Sequence, residues 1–316
     1  MTERNAGISN CRIIATLFIV ICHIVGFLTF IPGNQALGQF FNVGVYMFII
    51  ISGLLYGHKE ISDIKSFLKK RMLRVYIPCF IWAVFVLTAT LFAEPIETLY
   101  VLLNIQGASW LVDYITVSGG TYLAHTWFVT IILICYLITP LLRKISSVIK
   151  LWHIVLMFAL CMGLEYVGIH LELVFLYAVS YFISAKKIDT KRVHWLICLL
   201  MFASAIGMRL IAHKFIDGTV TYDHVITPIG HSLIAWAIII VILKATGRIK
   251  AQGKENRITK WMDEHSYTIY LVHYSIIPFL FGHINLWIAL LLFAVLTVVF
   301  AVPLNLISKK IMGMIK

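Results

Sequence analysis

The first long apolar segment of the chain begins at residues 11–23 with the sequence CRIIATLFIVICH. Arg12 and His23 are eleven positions apart in it. Eleven helical steps of 100° return to within about 20° of the starting direction, so both side chains are predicted on one helix face. The rise between them is about 16 Å, roughly half of a hydrocarbon core about 30 Å thick. If Arg12 lies at a membrane surface, His23 is expected near the midplane, where an ionisable residue indicates function.

The composition predicts an all-α polytopic membrane protein. Hydrophobic residues make up 61% of the chain and charged residues 13%, and the mean hydropathy is +0.93, which is far more apolar than a soluble domain. About ten spanning helices are expected at roughly 11–31, 40–57, 75–93, 126–142, 151–169, 171–185, 193–212, 225–245, 266–282 and 286–307. Because no stretch indicates a separate soluble domain, residues 1–316 are expected to form a single transmembrane domain.

The distribution of cations predicts the orientation. With ten alternating helices, all of the 26 lysines and arginines except Arg209 and Lys214 fall at the two termini or in connections on the same side. The positive-inside rule therefore places both termini in the cytoplasm. The net charge of +12 then reflects topology and contact with anionic membrane lipids, and no nucleic-acid partner is expected. The six cysteines have no CxxC spacing, so neither a disulfide framework nor a metal site is expected.

A dense cation cluster precedes the third predicted helix, at Lys69, Lys70, Arg71 and Arg74. Apolar residues recur at helical spacing through the same stretch, a pattern typical of an interfacial helix. One interpretation is an anchor for lipid headgroups. The other is a phosphate clamp, because Arg71 and Arg74 share a helix face and guanidinium groups suit phosphate oxygens.

Two ionisable residues lie in the outer halves of predicted helices. Glu165 is a carboxylate inside an apolar run and needs a partner. Arg209 is expected to be its counter-ion, or else to contact an anionic acceptor. The long outer connection, residues 94–125, is rich in aromatic residues, which suits either sugar stacking or a membrane-interface belt.

Three further residues have both a functional and a structural interpretation. His273 lies near the middle of the ninth predicted helix and is expected to meet His23, where it orients that histidine, binds substrate or packs. Ser52 lies beside Gly53, and two small residues in sequence favour close packing of helices. The alternative is that the Ser52 hydroxyl reaches the pore. Trp127 is expected in an aromatic belt or a pocket wall. For His23 itself, the structural alternative is an interhelical hydrogen bond.

Several motifs occur together in one order along the chain. They are Arg12-x10-His23, Phe48-Ile49-Ile50-Ile51-Ser52-Gly53, Phe67-Leu68-Lys69-Lys70-Arg71-Met72-Leu73-Arg74, His125-Thr126-Trp127-Phe128 and Ser266-Tyr267-Thr268-Ile269-Tyr270-Leu271-Val272-His273. In these motifs the chain resembles the membrane-integral acyltransferase family three, which includes O-acetyltransferases of bacterial surface polysaccharides. It departs from that pattern at Val45-Tyr46-Met47-Phe48, where relatives often have an acidic residue and paired phenylalanines. The esterase-like domain that some relatives carry after the bundle is not expected here.

The resemblance implies a ten-helix bundle in the bacterial inner membrane that takes an acetyl group from cytoplasmic acetyl-CoA. The acceptor is a hydroxyl of a surface carbohydrate or a lipid-linked glycan. By this likeness His23 is catalytic, with Arg12 as its partner, and Tyr270 belongs to a supporting motif. The phosphates of the coenzyme are expected at Arg71, Arg74, Lys70 and Lys69. His23 can act as general base or as nucleophile through an acyl-imidazole.

A second class of function remains open from the residues alone. Ten helices with buried His, Glu and Arg also describe a secondary transporter or flippase for a glycan or another polar envelope component. Carriers commonly contain two related halves, and residues 1–150 and 151–316 have no evident self-similarity. A sensor or scaffold is a third possibility, in which Arg71 and Arg74 have no ligand.

Overall fold

The computed structural model describes residues 6–90, 122–249 and 256–315, which contain helices and no β-strand. The first five helices are α1 (Ala6–Phe27), α2 (Asn34–Phe41), α3 (Val43–Gly57), α4 (Ile64–Thr90) and α5 (Trp127–Ile145). The remaining six are α6 (Leu151–Glu165), α7 (Glu172–Ala185), α8 (Trp195–Ile216), α9 (Thr227–Ile249), α10 (Arg257–Leu280) and α11 (Leu286–Met314). Short 3₁₀ helices precede α5 (Ala124–Thr126) and α8 (Thr190–Arg192), and a π-helix (Tyr222–Ile226) leads directly into α9.

Seven helical segments in the described residues are long and apolar enough to span a membrane. They are Ala6–Phe27, Asn34–Gly57, Ile64–Ala89, Ala124–Ile145, Trp195–Ile216, Tyr222–Gly247 and Leu286–Met314. Two further apolar helices, α6 and α7, are shorter. The prediction of an all-helical, multi-pass membrane protein is confirmed, whereas the count of ten spans and the cytoplasmic termini stay predictions. Most of the predicted outer connection, up to residue 121, lies outside the described residues.

The predicted interfacial helix and the third predicted span form one continuous helix. α4 runs from Ile64 to Thr90 with Pro78 inside it. At its start the Asp63 carboxylate accepts a hydrogen bond from the Lys65 backbone N–H at 2.9 Å, which is typical of a helix N-terminus. No residue between the cation cluster and the apolar run breaks the helical backbone, and the helix continues past Pro78 although proline removes a backbone donor and crowds the preceding turn. The cation cluster is therefore the first part of a membrane-spanning helix rather than a separate element.

The chain divides into two compact units, each assembled from three stretches of sequence. The first unit contains the beginning of the chain up to Ala15, together with Asn42–Ile61 and Ile138–Asp263. The second unit contains Thr16–Phe41, Ser62–Leu137 and the C-terminal part from Glu264 onward. Because the stretches alternate along the sequence, the division does not correspond to two consecutive sequence domains.

In the first unit, α3 packs tightly against α7 through two glycines. A Cβ atom at Gly53 would lie 2.6 Å from the Tyr177 carbonyl oxygen and 2.7 Å from Ser180 Cβ. One turn later, Gly57 meets the Tyr181 carbonyl and Ser184 in the same way. Small residues four apart on both helices allow this close backbone approach. The close approach of helices expected at Ser52 and Gly53 is therefore present at Gly53, and the role of the Ser52 hydroxyl stays a prediction.

In the second unit, hydrogen bonds attach α10 to its neighbours. The Trp82 indole N–H on α4 donates to Ser275 Oγ at 3.1 Å. Ser275 Oγ in turn donates to the Tyr122 carbonyl, just before α5, at 2.7 Å. Nearer the beginning of α10, the Tyr267 hydroxyl donates to the Val75 carbonyl on α4 at 2.7 Å. These bonds fix the rotation of α10 about its axis, and with it the direction of the side chains between them.

The helices differ greatly in how much of their surface other helices cover. The segment Asn34–Gly57, which contains α3, is 61% buried, whereas α8 is 11% buried. The exposed side chains of α8 are large and apolar, among them Leu196, Leu199, Leu200, Leu210, Ile211 and Phe215. An apolar surface of this size on a membrane protein is suited to contact with lipid tails.

Candidate active site

Three histidines of the second unit form a compact cluster. His23 on α1 and His273 on α10 stack with ring centroids 5.1 Å apart, and His23 Nδ1 lies 2.8 Å from His273 Nε2. The His125 ring is 5.4 Å from that of His273 and 6.3 Å from that of His23. Tyr274 packs against both His23 and His125. His125 and His273 are buried, and His23 is half-buried. The expected contact between His23 and His273 is therefore present.

The hydrogen bonds of His273 determine which nitrogen of each neutral ring carries hydrogen. His273 Nδ1 lies 2.6 Å from the Tyr270 carbonyl oxygen, which can only accept, so Nδ1 is the donor. His273 Nε2 is then an acceptor, and His23 Nδ1 must donate to it. The lone pair of His23 is consequently on Nε2, the nitrogen that points away from His273. A histidine oriented in this way can accept a proton or attack a carbonyl carbon.

His125 has a comparable arrangement. Its Nε2 lies 3.0 Å from the Leu271 carbonyl and donates to it. The Tyr270 hydroxyl donates to the His125 carbonyl, which joins α10 to the 3₁₀ turn before α5. His125 Nδ1 is therefore an acceptor, and it is buried without a hydrogen-bond donor among the described side chains and backbone groups. Tyr270 thus supports the cluster through both its carbonyl and its hydroxyl.

Arg12 forms an ion pair in the first unit. Its Nη1 lies 2.8 Å from Asp263 Oδ1, near the beginning of α10, and the Ser9 hydroxyl donates to the other carboxylate oxygen at 2.9 Å. Asp263 is buried and Arg12 is partly exposed. Removing one partner of such a pair strongly destabilises the folded protein, because the buried carboxylate is then left without a compensating charge. The structure therefore gives Arg12 a specific acidic partner, while its predicted part in catalysis stays a prediction.

The cation cluster lies in the first three turns of α4, where Lys69, Lys70 and Arg74 are exposed. Arg71 is half-buried, with its guanidinium 6.0 Å from the centre of the Phe67 ring. Lys69 Nζ donates to the backbone carbonyl of Ile315 at 3.1 Å. The cluster presents positive charge to its surroundings, as both the lipid-anchor and the phosphate-clamp interpretations require.

The expected ion pair between Glu165 and Arg209 is wrong. Glu165, the last residue of α6, lies 2.7 Å from His170 Nδ1, and Arg209 on α8 lies 3.2 Å from His231 Nε2. Glu165 is fully buried at the point where the chain turns from α6 to α7, so a polar side chain within that turn, His170, becomes its partner.

Ser52 is half-buried beside the tightly packed Gly53, and Trp127 is half-buried at the first position of α5.

Comparison with known proteins identifies the family of the chain. The sequence model of a protein family described as an acyltransferase domain, acyltransferase family three, matches residues 5–308. The chain belongs to this family. Searches of curated proteins and of solved structures gave no match. The acyltransferase match runs through the stretches that form both units and includes every motif on which the resemblance was based.

Several residues at the sites of this acyltransferase were not singled out from the sequence. Tyr274, which packs on two of the three histidines, follows His273 directly, and that position was the available signal. Asp263 lies just before the apolar run predicted to begin at residue 266, and nothing in the nearby sequence marks its carboxylate. His170, which lies beside Glu165, is an isolated histidine in a connection and carries no sequence signal of its own.

Proposed function

We propose that this membrane acyltransferase is an O-acetyltransferase of the bacterial inner membrane. In this proposal it takes an acetyl group from acetyl-CoA on the cytoplasmic side and transfers it to a hydroxyl of a surface carbohydrate or lipid-linked glycan. The observation that supports it most strongly is the fixed lone pair on His23 Nε2, within a cluster of three imidazoles in a chain of this family.

As a general base, His23 Nε2 takes the proton of the acceptor hydroxyl while the hydroxyl oxygen attacks the acyl carbonyl carbon. The bond from that carbon to sulfur then breaks, and the thiolate leaves with the proton held on His23. As a nucleophile, Nε2 itself bonds to the acyl carbon and releases the thiolate, and the acceptor hydroxyl then displaces the imidazole. In the first route His23 then returns its proton to the thiolate, and in the second the proton of the acceptor hydroxyl passes to the thiolate as the imidazole leaves. Both routes therefore give one ester and one thiol, and both require the lone pair on Nε2.

His273 is proposed as a positioning residue. Its Nε2 accepts from His23 Nδ1 at 2.8 Å, which holds the His23 ring in one tautomer and one orientation. When His23 carries a proton or an acyl group, its ring becomes positively charged, and the lone pair of His273 stabilises that charge. Because the Tyr270 carbonyl fixes His273 in turn, the direction of this support is set by the backbone of α10. The carboxylate that supports histidine in many hydrolases is replaced here by a second imidazole.

Acetyl-CoA is proposed to bind at the cation cluster of α4. Lys69, Lys70 and Arg74 are exposed there, and an arginine guanidinium suits bidentate contact with phosphate oxygens. The exposed, uniformly positive character of the cluster fits a ligand with several phosphate groups. When bound, acetyl-CoA supplies an activated thioester, and the role of the protein is to hold the phosphates and exclude water from the acyl group.

The proposal is tested with purified protein, acetyl-CoA labelled in the acetyl group, and mass spectrometry of envelope glycans from cells with and without the protein. His23→Ala is expected to bind acetyl-CoA but to transfer no acetyl group. His283→Ala changes an exposed histidine in the connection between α10 and α11 and is the matched control, with activity retained. Acceptor acetylation by the His23 variant at the rate of the control would remove His23 from the mechanism.

The same experiment separates the acyltransferase from a carrier. An enzyme turns over labelled acetyl-CoA or becomes labelled itself, and rapid quenching detects an acyl-histidine if the nucleophilic route is used. A transporter or flippase gives neither turnover nor labelling. Family membership favours the first outcome.

A further inference from the structure

A second polar cluster lies in the first unit, around the end of α6. We call Glu165, His170 and His224 the Glu165 cluster. Glu165 Oε2 lies 2.7 Å from His170 Nδ1 and 3.7 Å from His224 Nδ1. The three atoms that can act as ligands all lie within 4.8 Å of one another. The two imidazole rings stack in parallel, with centroids 4.5 Å apart and planes 13° from each other.

Three backbone features place these side chains together. α6 ends at Glu165, and Gly168, with a φ of +74°, allows the chain to turn back so that His170 returns to the carboxylate. The Leu171 N–H donates to Glu165 Oε1 at 3.2 Å, which directs Oε2 towards the two histidines. His224 lies within the π-helix that leads into α9, and π-helical turns are frequent at functional sites.

Two imidazole nitrogens and one carboxylate oxygen are a common ligand set for divalent transition metals. In a tetrahedral zinc site with bonds of about 2.0–2.1 Å, neighbouring ligand atoms are about 3.3 Å apart. The separations of 2.7 and 3.7 Å differ from that value by about 0.6 and 0.4 Å, and no two of the ligand atoms are more than 4.8 Å apart. Because the two imidazole planes are nearly parallel, one ring must also rotate, which the partly exposed His224 side chain can do, before both rings direct a lone pair at one ion. The Leu171 N–H bond to the second oxygen is the kind of outer contact that orients a metal-bound carboxylate.

A neighbouring residue gives independent evidence for a cation at this place. Glu172, at the first position of α7, is buried, and its Oε2 has no hydrogen-bond donor among the described residues. The Glu172 and Glu165 carboxyl groups are close enough to interact electrostatically, and to share a hydrogen bond when one of them carries a proton. Arg209, which was expected to pair with Glu165, has its Nη1 3.2 Å from His231 Nε2 instead. Within the part of the chain that the structure describes, no lysine or arginine is bonded to either buried acidic group, which is costly unless a cation or a proton compensates them.

We propose that Glu165, His170 and His224 bind a divalent transition-metal ion such as Zn²⁺, with the Glu172 carboxylate as the adjacent acidic group. The ion would join the turn between α6 and α7 to the π-helix before α9, beside the hydrogen bond between the Tyr166 and Thr221 hydroxyls. His224, with 38% of its side chain exposed, gives the ion access from solvent. The proposal departs from the expectation of a metal-free protein and does not depend on the acyl-transfer mechanism.

The proposal is tested on the purified full chain in detergent after removal of metal with a chelator. Co²⁺ is the first probe, because its visible absorption reports coordination, and retained Zn²⁺ is then counted by elemental analysis. One ion per chain is expected, together with a rise in Tm of the stripped protein when Zn²⁺ is added.

Two variants remove ligands with little change of the fold. His224→Ala changes the most exposed ligand, and Glu165→Gln keeps the volume of the side chain; each is expected to weaken Co²⁺ binding by tenfold or more, on the order of effects seen at metal sites. His213→Ala is the matched control, because His213 is also paired with a carboxylate, Asp217 at 2.9 Å, on the exposed surface of α8. Absence of saturable binding, or equal binding by the His224 and His213 variants, would overturn the proposal.

Discussion

Gly53→Ala tests the tight contact between α3 and α7. The new Cβ atom would lie 2.6 Å from the Tyr177 carbonyl oxygen, 2.7 Å from Ser180 Cβ and 2.9 Å from the Tyr181 backbone nitrogen. Ordinary contact begins at 3.4 Å. The shortest of these distances must therefore grow by about 0.8 Å, and two of the three atoms belong to backbone, which cannot move aside by changing rotamer.

The expected magnitude follows from two opposing effects. Overpacking of this kind costs about 1–3 kcal/mol, and the backbone contacts favour a value of about 3 kcal/mol. Alanine is a better helix former than glycine by about 1 kcal/mol. The net loss of stability is then about 2 kcal/mol, which should lower the Tm by a few degrees.

Thermal unfolding in detergent measures this effect, and Gly207→Ala on α8 is the matched control. Apart from the surrounding backbone of α8 itself, no described atom lies within 4 Å of a Cβ at Gly207. That variant therefore gains helix propensity without a clash and should be as stable as the parent or more so. Ser52→Ala should change neither stability nor acyl transfer if Ser52 serves only packing. A Tm of the Gly53 variant equal to that of the Gly207 variant would refute the reasoning.

Two further predictions concern the proposed reaction. Replacing both Arg71 and Arg74 by Gln should raise the KM for acetyl-CoA with little change in kcat, because phosphate contacts are lost while the reacting groups remain. Unchanged kinetics with poorer membrane insertion would support the lipid-anchor interpretation instead. His273→Ala should lower kcat by about 100-fold with little change in KM, because His23 loses the acceptor that fixes its tautomer. His273→Gln, which retains an accepting oxygen, should recover part of the rate. A kcat of the His273→Ala variant equal to that of the parent enzyme would contradict the positioning role.

Much of the fold was predictable because each helix leaves a local signal in the sequence. Long apolar runs set the membrane class, and Arg12 and His23 could be placed on one helix from their spacing alone. The contact of His23 with His273 was expected because both are rare ionisable residues inside apolar runs, where polar groups seek one another. The continuity of α4 was missed because the change from a charged to an apolar stretch suggested two elements, although no helix-breaking residue separates them.

Pairings between distant residues could not be predicted in the same way. Arg12 meets Asp263 across more than two hundred positions, and nothing near either residue specifies the other. Glu165 was assigned to Arg209 because opposite charges at one depth attract, but a histidine five positions away reaches the carboxylate first. The partner of a polar residue inside a membrane protein depends on the geometry of the turns and on the rotation of each helix about its axis. The pattern of apolar residues in the sequence does not specify either of these.

Other helices cover much of the surface of α3 and little of that of α8, and this difference affects how freely the sequence of each helix can change during evolution. Fluid hydrocarbon tails adapt to any outline, so α8 should accept exchanges among leucine, isoleucine, valine and phenylalanine at most of its positions. α3 instead faces a rigid neighbour at van der Waals distance, and a single added methyl group is enough to disturb it. Neutral substitutions in this enzyme should therefore accumulate on the apolar surface of α8 that other helices do not cover.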